Sequence, residues 1–439
     1  MADIHIRKRG DKWYYSFECA PIDGKRKRIE RVGGKTKKEA LEKGIQALNE
    51  YNSSGQHFEA STISVADFLD YYMDNYSKLN NKYNTQVGNM SIIENHLKPN
   101  FGAYRLSALS TAAVQEFINE KFIVGFTKST IENIIAPLSQ AYEYAIDLGY
   151  VKDNPCQRIK YPKDCKQPKR REVISIEEYN LIMTAMKDHK PFDIAIMIGW
   201  YAGLRISETF GLTWNDINLD SKTITINKQI VKRNFGTDIR KAFKEKGKKE
   251  ERSAWYFQSP KTPTSNRTIV ISDDLIKVLK AWKKKQLENQ IYYGEYYKEL
   301  YLKEEKDEKG KNIQRIVEIE KSIPCTLPTA NMIFRKESGE YVSTDSFKYP
   351  SRIIHYRLGL EKFDYHSLRH THATMLIEAG VSPKTVQERL GHASIQTTFD
   401  LYVHNTEAMK QEAADIFDEI LKKSYQVKGR ISAPYFANI

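Results

Sequence analysis

The stretch that decides the fold is HSLRHTHATMLIEAGVSPKTVQERLGHASIQTTFDLY, residues 366–402. His366, Arg369 and His370 stand at i, i+3 and i+4, so they share one face at the start of a helix. Gly380 predicts the end of that helix. Ser382-Pro383 reads as the N-cap and first residue of a second helix, with Gly391 as its terminator and His392 in the turn that follows. SIQTTFDLY predicts a further short helix carrying Tyr402. Three short helices thus bring His366, Arg369, His392 and Tyr402 toward one point. Upstream, YAGLRISE (201–208) predicts a glycine-marked junction between two helices that holds Arg205. SPKTPTSNRTIVI (259–271) predicts a turn between two strands, with Lys261 at a hairpin tip.

These six side chains suit the cutting of a phosphodiester. Two planar guanidiniums, Arg205 and Arg369, can clamp both non-bridging oxygens, a geometry unavailable to lysine. Charge accumulates on those oxygens as a pentacoordinate transition state forms, so fixed cations there carry much of the catalysis. A tyrosine phenol, with a reference pKa of about 10, needs a proton acceptor before it attacks, and an imidazole such as His366 suits that role. Lys261 can give a proton to the leaving 5′ oxygen, and His392 can donate a hydrogen bond to the phosphate. Lys228, Lys232 and Lys241 lie in the same strand-rich region and compete with Lys261. Arg205 alone also reads as an ordinary helix-end salt bridge to Glu208. Glu208 is the sole acidic residue of note in these stretches, so no metal and no other cofactor is expected. Neither a Walker motif nor an internal repeat is found.

Outward from this stretch, Ser175-x-x-Glu178 is a capping-box signature that opens the largest domain. Helices are predicted to about Gly211, then strands near Thr223–Ile230, Ser253–Ser259 and Arg267–Ile271, then a helix from Asp273 or Asp274. Residues 232–252 and 303–322 are charged and read as insertions or exposed hairpins. Residues 156–172 form a basic, proline-containing connector. From Ser61 to about Asn154 apolar residues recur at helical spacing, with Ser64, Ser110 and Thr127 as N-caps and Gly149 closing the last helix. Residues 1–57 read as a small β module followed by a helix. Its strands are Lys12–Ala20 and Lys25–Val32, Asp23-Gly24 marks a turn, and Thr36 N-caps a helix to about Tyr51. Its first 40 residues carry a net charge of +6, and a basic sheet can lie in a DNA major groove. The tail after Tyr402 carries an amphipathic stripe through Ala413, Ile416, Phe417, Ile420 and Leu421.

The whole chain has 439 residues and a formal net charge of +13, which predicts two to three domains and a polyanionic partner. Its four cysteines lack paired spacing, which argues against a zinc site or a disulfide framework. The start of the chain has no apolar signal region, and the apolar run Ile194–Gly203 is about half a membrane span. The expectation is a soluble, intracellular protein with no membrane partner.

AGLRISE, PKTPTSNR, HSLRHTHAT, ERLGH and TTFDLY together resemble the tyrosine recombinase (phage integrase) family, whose signature is the order Arg…Lys…His-x-x-Arg…Gly-His…Tyr. AIDLGYVKDNP resembles the end of that family's helical core-binding domain. The N-terminal module resembles the arm-type DNA-binding domain of integrases from phages and conjugative transposons. The resemblance implies a multidomain α+β fold. Its parts would be a small ββ(β)α arm-binding domain at 1–57, an all-α SAM-like core-binding domain at 61–155, and a basic linker at 156–172. A mainly α catalytic domain with a small antiparallel sheet would span 173–425, followed by a tail at 426–439.

The resemblance also implies site-specific recombination through a 3′-phosphotyrosine at Tyr402 and a Holliday junction. Arg205 and Arg369 would hold the phosphate with His392, Lys261 would be the general acid, His366 the proton acceptor, and Glu208 a buttress. Double-stranded DNA with core and arm sites would be the partner of a homotetramer in the bacterial cytoplasm, at the nucleoid. An excisionase and a host DNA-bending protein would assist. The alternatives are a type IB topoisomerase-like enzyme and a DNA-binding architectural protein with a relict site. The spacing from His392 to Tyr402 is one position longer than in the Xer-like members.

Overall fold

The computed structural model describes residues 4–22, 25–54, 63–163, 172–234, 253–260, 263–307, 309–396 and 415. Two compact units divide the chain, Met1–Pro168 and Lys169–Ile439.

The first unit opens on a three-stranded antiparallel sheet in the order β1-β2-β3, with β1 at His5–Arg9, β2 at Lys12–Ile22 and β3 at Lys25–Gly34. The strand β1 adds to the two strands expected from the sequence. Its pattern HIRKR has a single apolar residue, too little for periodicity alone to signal a strand. Alternation along the strands puts Tyr15 and Phe17 against Ala47 of the helix Lys37–Ser54, with Ile4, Ile6 and Ile29 around them. The opposite face carries Arg7, Arg9, Tyr14 and Arg28. Further along the chain the helices Val65–Tyr72, Thr111–Ile123 and Lys128–Asp147 start on Ser64, Ser110 and Thr127, whose hydroxyls accept from the third backbone N–H beyond. Each cap satisfies a donor that the first turn leaves unpaired. These helices bury Phe68, Leu69, Tyr72, Phe117, Ile131 and Leu138, and the Tyr142 hydroxyl donates to the Leu106 carbonyl at 2.8 Å.

The second unit begins at Ser175, where both halves of the capping box are present: the Ser175 hydroxyl accepts from Glu178 N at 3.1 Å and the Glu178 carboxylate from Ser175 N at 2.8 Å. The apolar segment Phe192–Ala202 is a buried helix. It packs on the helix Tyr365–Glu378 at Gly199, where a Cβ would come within 2.7 Å of Leu368 Cδ1. Among the described residues two antiparallel sheets accompany the helices. One has the order β4-β5-β8, formed by β4 Ile217–Asn218, β5 Thr223–Ile226 and β8 Arg267–Val270. The other has the order β6-β7-β10-β9, with β6 at Gln229–Asn234, β7 at Ser253–Gln258, β9 at Lys298–Lys306 and β10 at Asn312–Glu320.

Two expectations are corrected here. The single strand expected over Thr223–Ile230 is broken at Asn227-Lys228, because β5 and β6 belong to different sheets. The strands on either side of Lys261 are not the two arms of a hairpin, since β7 pairs with β6 and β10 while β8 pairs with β5. The charged stretch 303–322 forms most of the β9–β10 hairpin. Among the described residues no helix is long and apolar enough to cross a membrane.

Candidate active site

The site is built around the end of one helix. Pro383–Leu390 begins at Ser382 and stops at Gly391, whose φ of +67° places it in the left-handed region. A Cβ on Gly391 would meet the Thr264 carbonyl at 3.0 Å and Arg267 Cδ at 3.2 Å, so conformation and space both call for glycine. The last carbonyls of a helix lack intrahelical donors and carry the negative end of its dipole. Three successive carbonyls here each receive an arginine. Arg267 Nε donates to Arg389 O at 2.7 Å, Arg369 Nη2 to Leu390 O at 2.7 Å, and Arg205 Nη2 to Gly391 O at 3.4 Å. His392 comes next in the chain.

Arg205 is the N-cap of the short helix Ile206–Thr209, just after Gly203 with its φ of +64°. Its guanidinium Nη1 donates to Glu208 Oε1 at 2.7 Å, and its backbone N to Glu208 Oε2 at 3.1 Å. Arg205 keeps about a third of its side chain exposed, 32%, while Glu208 is 2% exposed. Arg369 lies in the first turns of the helix Tyr365–Glu378 and is buried, with Nη1 donating to Gly203 O at 2.9 Å. Among the described residues its buried Nε finds no acceptor. His366, one turn earlier, is exposed, and His392 is half-buried.

The electrostatics follow from this crowding. Burial alone would push the Glu208 carboxyl up, but Arg267, Arg205 and Arg369 together hold it below its ordinary value. Burial, with Arg205 beside it, brings Arg369 down to about 9, leaving it charged at neutral pH. Burial, with Arg369, Arg205 and then His366 nearby, pulls His392 down to about 3, so its imidazole is neutral and carries one N–H to donate.

Of the six residues singled out by sequence, the structure gathers Arg205, Arg369, His366 and His392. Lys261 and Tyr402 lie outside the described residues. Pro260 and the turn Pro263–Ser265 flank Lys261, and Thr264 O abuts Gly391. Two of the competing lysines are engaged elsewhere: Lys228 pairs with Asp216 at 2.5 Å, and Lys232 with Asp345 at 2.9 Å. Lys241 lies outside the described residues.

Sequence reasoning left three residues of this site without a role: Arg267, His372 and Arg389. Arg389 Nε donates to His372 Nε2 at 3.0 Å, and His372 Nδ1 donates to Trp200 O at 2.8 Å. Arg389 also reaches Val270 O at 2.9 Å and Tyr201 O at 3.2 Å. Burial, then Arg389, brings His372 down to about 4, consistent with a neutral ring that accepts on one nitrogen and donates on the other. These residues sat inside the segments PKTPTSNR, HSLRHTHAT and ERLGH, but pairing across 17 or more positions leaves no local signal.

The phage integrase family profile matches residues 172–409, which is more than half of the chain. The chain belongs to the phage integrase family. It is a tyrosine recombinase, an enzyme of site-specific DNA recombination. The SAM-like N-terminal domain of phage integrases matches residues 64–122, and an arm DNA-binding domain matches residues 5–51. A tyrosine recombinase XerC-like protein of Caldanaerobacter subterraneus is 27% identical over 88% of this chain and 90% of its own length. The ICEBs1 integrase of Bacillus subtilis is 24% identical over 92% of this chain and 96% of its own. Among solved structures, the Tn1549 transposon integrase in complex with a circular intermediate DNA is similar in fold. Its TM-score is 0.58 at 20% identity, covering 81% of this chain and 99% of that one.

Proposed function

We propose that this integrase cuts and rejoins DNA with Arg205, Arg369 and His392 holding the scissile phosphate. His366 accepts the phenolic proton as Tyr402 attacks phosphorus, which forms a 3′-phosphotyrosyl bond and expels the 5′ oxygen. Lys261 protonates that oxygen. The phosphotyrosyl bond conserves the energy of the broken linkage, so rejoining by a 5′ hydroxyl needs no nucleotide. The observation that carries this reading is the convergence of two guanidiniums and a neutral imidazole on one helix end. The unpartnered Arg369 Nε supports it, because a buried donor without an acceptor is costly and calls for a further partner.

In the same reading, residues 1–57 bind accessory arm sites, residues 61–155 and residues 173–425 each bind the core site and are joined by the basic linker 156–172, and residues 426–439 are a tail. Four protomers bring two duplexes together and exchange strands through a Holliday junction, moving an element into and out of a bacterial chromosome. An excisionase and a host DNA-bending protein bias the direction. The enzyme works in the cytoplasm, at the nucleoid.

A nicked suicide substrate tests the chemistry. Wild-type protein should give a covalent protein–DNA adduct and Tyr402→Phe none; an adduct with Tyr402→Phe refutes the nucleophile. Relaxation of supercoils without recombination between cognate sites would favour a topoisomerase. Deleting residues 1–57 should weaken binding to distal repeats and leave cleavage of a core site largely intact.

A further inference from the structure

Arg267 is the most deeply embedded cation of the site apart from Arg369. Its side chain is 6% exposed and every one of its nitrogens is engaged. Nη2 donates to Glu208 Oε2 at 2.9 Å and Nη1 to Glu208 Oε1 at 3.4 Å, while Nη1 also reaches Ser265 O at 3.0 Å and Nε reaches Arg389 O at 2.7 Å. A group so enclosed and so committed does not reach DNA. It does hold what reaches DNA: Glu208, which it grips on both oxygens, is the carboxylate that fixes the Arg205 guanidinium and backbone.

We propose that Arg267 is a positioning residue for phosphate activation, aiming Arg205 through Glu208 and locking the helix end that presents His392. The proposal rests on the reading of Arg205 as a phosphate-holding residue. Two guanidiniums bonded to one buried carboxylate define the Arg205 direction, whereas Glu208 with Arg205 alone would be free to swing. The Arg389 carbonyl ties this array to the helix end, and the Arg267 stem packs where a Gly391 Cβ would stand. The requirement is for the planar fork. Lysine would keep the charge but bind at a point, and so would not span both oxygens and the Arg389 carbonyl together.

The test compares two suicide substrates in single-turnover cleavage by the full chain. One has a normal scissile phosphodiester. The other has a methylphosphonate there, which replaces a charged non-bridging oxygen by methyl and removes the charge that Arg205 neutralises. The ratio of the two rates cancels the fraction of enzyme that is folded, so a merely destabilised variant leaves it unchanged. Arg267→Met should slow cleavage of the phosphodiester about 100-fold, a value typical of losing an electrostatic stabiliser, and slow the methylphosphonate at least tenfold less. Arg267→Lys should resemble Arg267→Met. Equal losses on both substrates, or full rescue by lysine, would overturn the positioning role. Arg205→Ala is run beside them: if it shows no selective loss on the charged substrate, the phosphate-holding reading of Arg205 fails, and with it the ground for the inference. If Arg205→Ala is selective and Arg267→Met is not, the inference alone fails.

Discussion

In the N-terminal sheet Arg7 and Arg9 keep more than half of their side chains in solvent and share Glu30, itself a third exposed. In the catalytic unit Arg267 and Arg205 share Glu208, which is 2% exposed. The same pattern of two arginines on one glutamate is therefore built twice, once around a carboxylate in water and once around a buried one. The difference decides what each array can do. In water, the ion pairs contribute little, about 0–1 kcal/mol, and the cations stay free to exchange a carboxylate for a phosphate. Away from water the carboxylate cannot be given up, because removing one member leaves its partners charged and unpaired, at a cost of about 3–5 kcal/mol. The buried array is thus built as a mount, while the exposed one keeps cations that a phosphate can reach.

The sharpest way to break this comparison is to delete the buried carboxylate. Glu208→Ala leaves Arg205 and Arg267 facing each other without a counter-charge, and should destabilise the catalytic unit by about 3–5 kcal/mol. Trp200, Trp214, Trp255 and Trp282, four of the five tryptophans, belong to that unit, so thermal unfolding followed by tryptophan fluorescence reports on it. A melting temperature within one degree of wild type would mean that Glu208 is no more structural than Glu30.

A smaller loss is expected where the mount meets the helix end. Gly391→Ala combines a left-handed backbone with close approaches of 3.0 and 3.2 Å to Thr264 O and Arg267 Cδ. It should cost about 1–3 kcal/mol and slow single-turnover cleavage roughly tenfold or more, since the same turn carries His392. Unchanged cleavage would show that the turn tolerates displacement and that the site is looser than its hydrogen bonds suggest.

How much of this was legible beforehand can be read off the same residues. Ser64, Ser110, Thr127, Ser175 and Ser382 mark their helices in the sequence because a cap is a local device, decided within three residues. The fold class and the family followed from patterns of the same kind. Arg205, His366, Arg369 and His392 could be named because each lies in a short segment of distinctive spacing. Arg267, His372 and Arg389 received no role, because their chemistry depends on partners 17 to 188 positions away. The split of Thr223–Ile230 between two sheets was hidden for a related reason. Alternation along a strand identifies its faces but not the neighbour that its edge will pair with.

The buried histidine gives the comparison a pH axis. His372 is brought down to about 4 by burial and by Arg389, against an ordinary value of about 6.5. A depressed folded value means that the unfolded chain binds the proton first as pH falls. The contribution of His372 is therefore complete above pH 6.5 and lost progressively from there down to about 4. His392, brought down to about 3, acts in the same direction. Stability of the catalytic unit should fall across that window in the wild type. In His372→Gln, which keeps an acceptor and cannot titrate, the slope should drop by about one proton. An unchanged slope would mean that the ring is not held neutral in the folded protein.

The smallest effect on stability belongs to the exposed array, and there the prediction runs the other way. Arg7→Gln removes a pair in which Nε and Nη2 sit 2.9 and 3.0 Å from the Glu30 oxygens, a geometry as good as any in the catalytic unit. Solvent nevertheless screens both partners, so amide hydrogen exchange in β1–β3 should report a change of no more than about 0.5 kcal/mol. If this face meets DNA as proposed, the variant should bind arm-site DNA more weakly. The slope of log affinity against log salt should shrink by about one, as expected when one fewer phosphate is neutralised. A large stability loss with an unchanged salt slope would reverse the assignment, making the N-terminal pair a mount like its buried counterpart. Good geometry is common to both arrays, so solvent access is the variable that this substitution isolates.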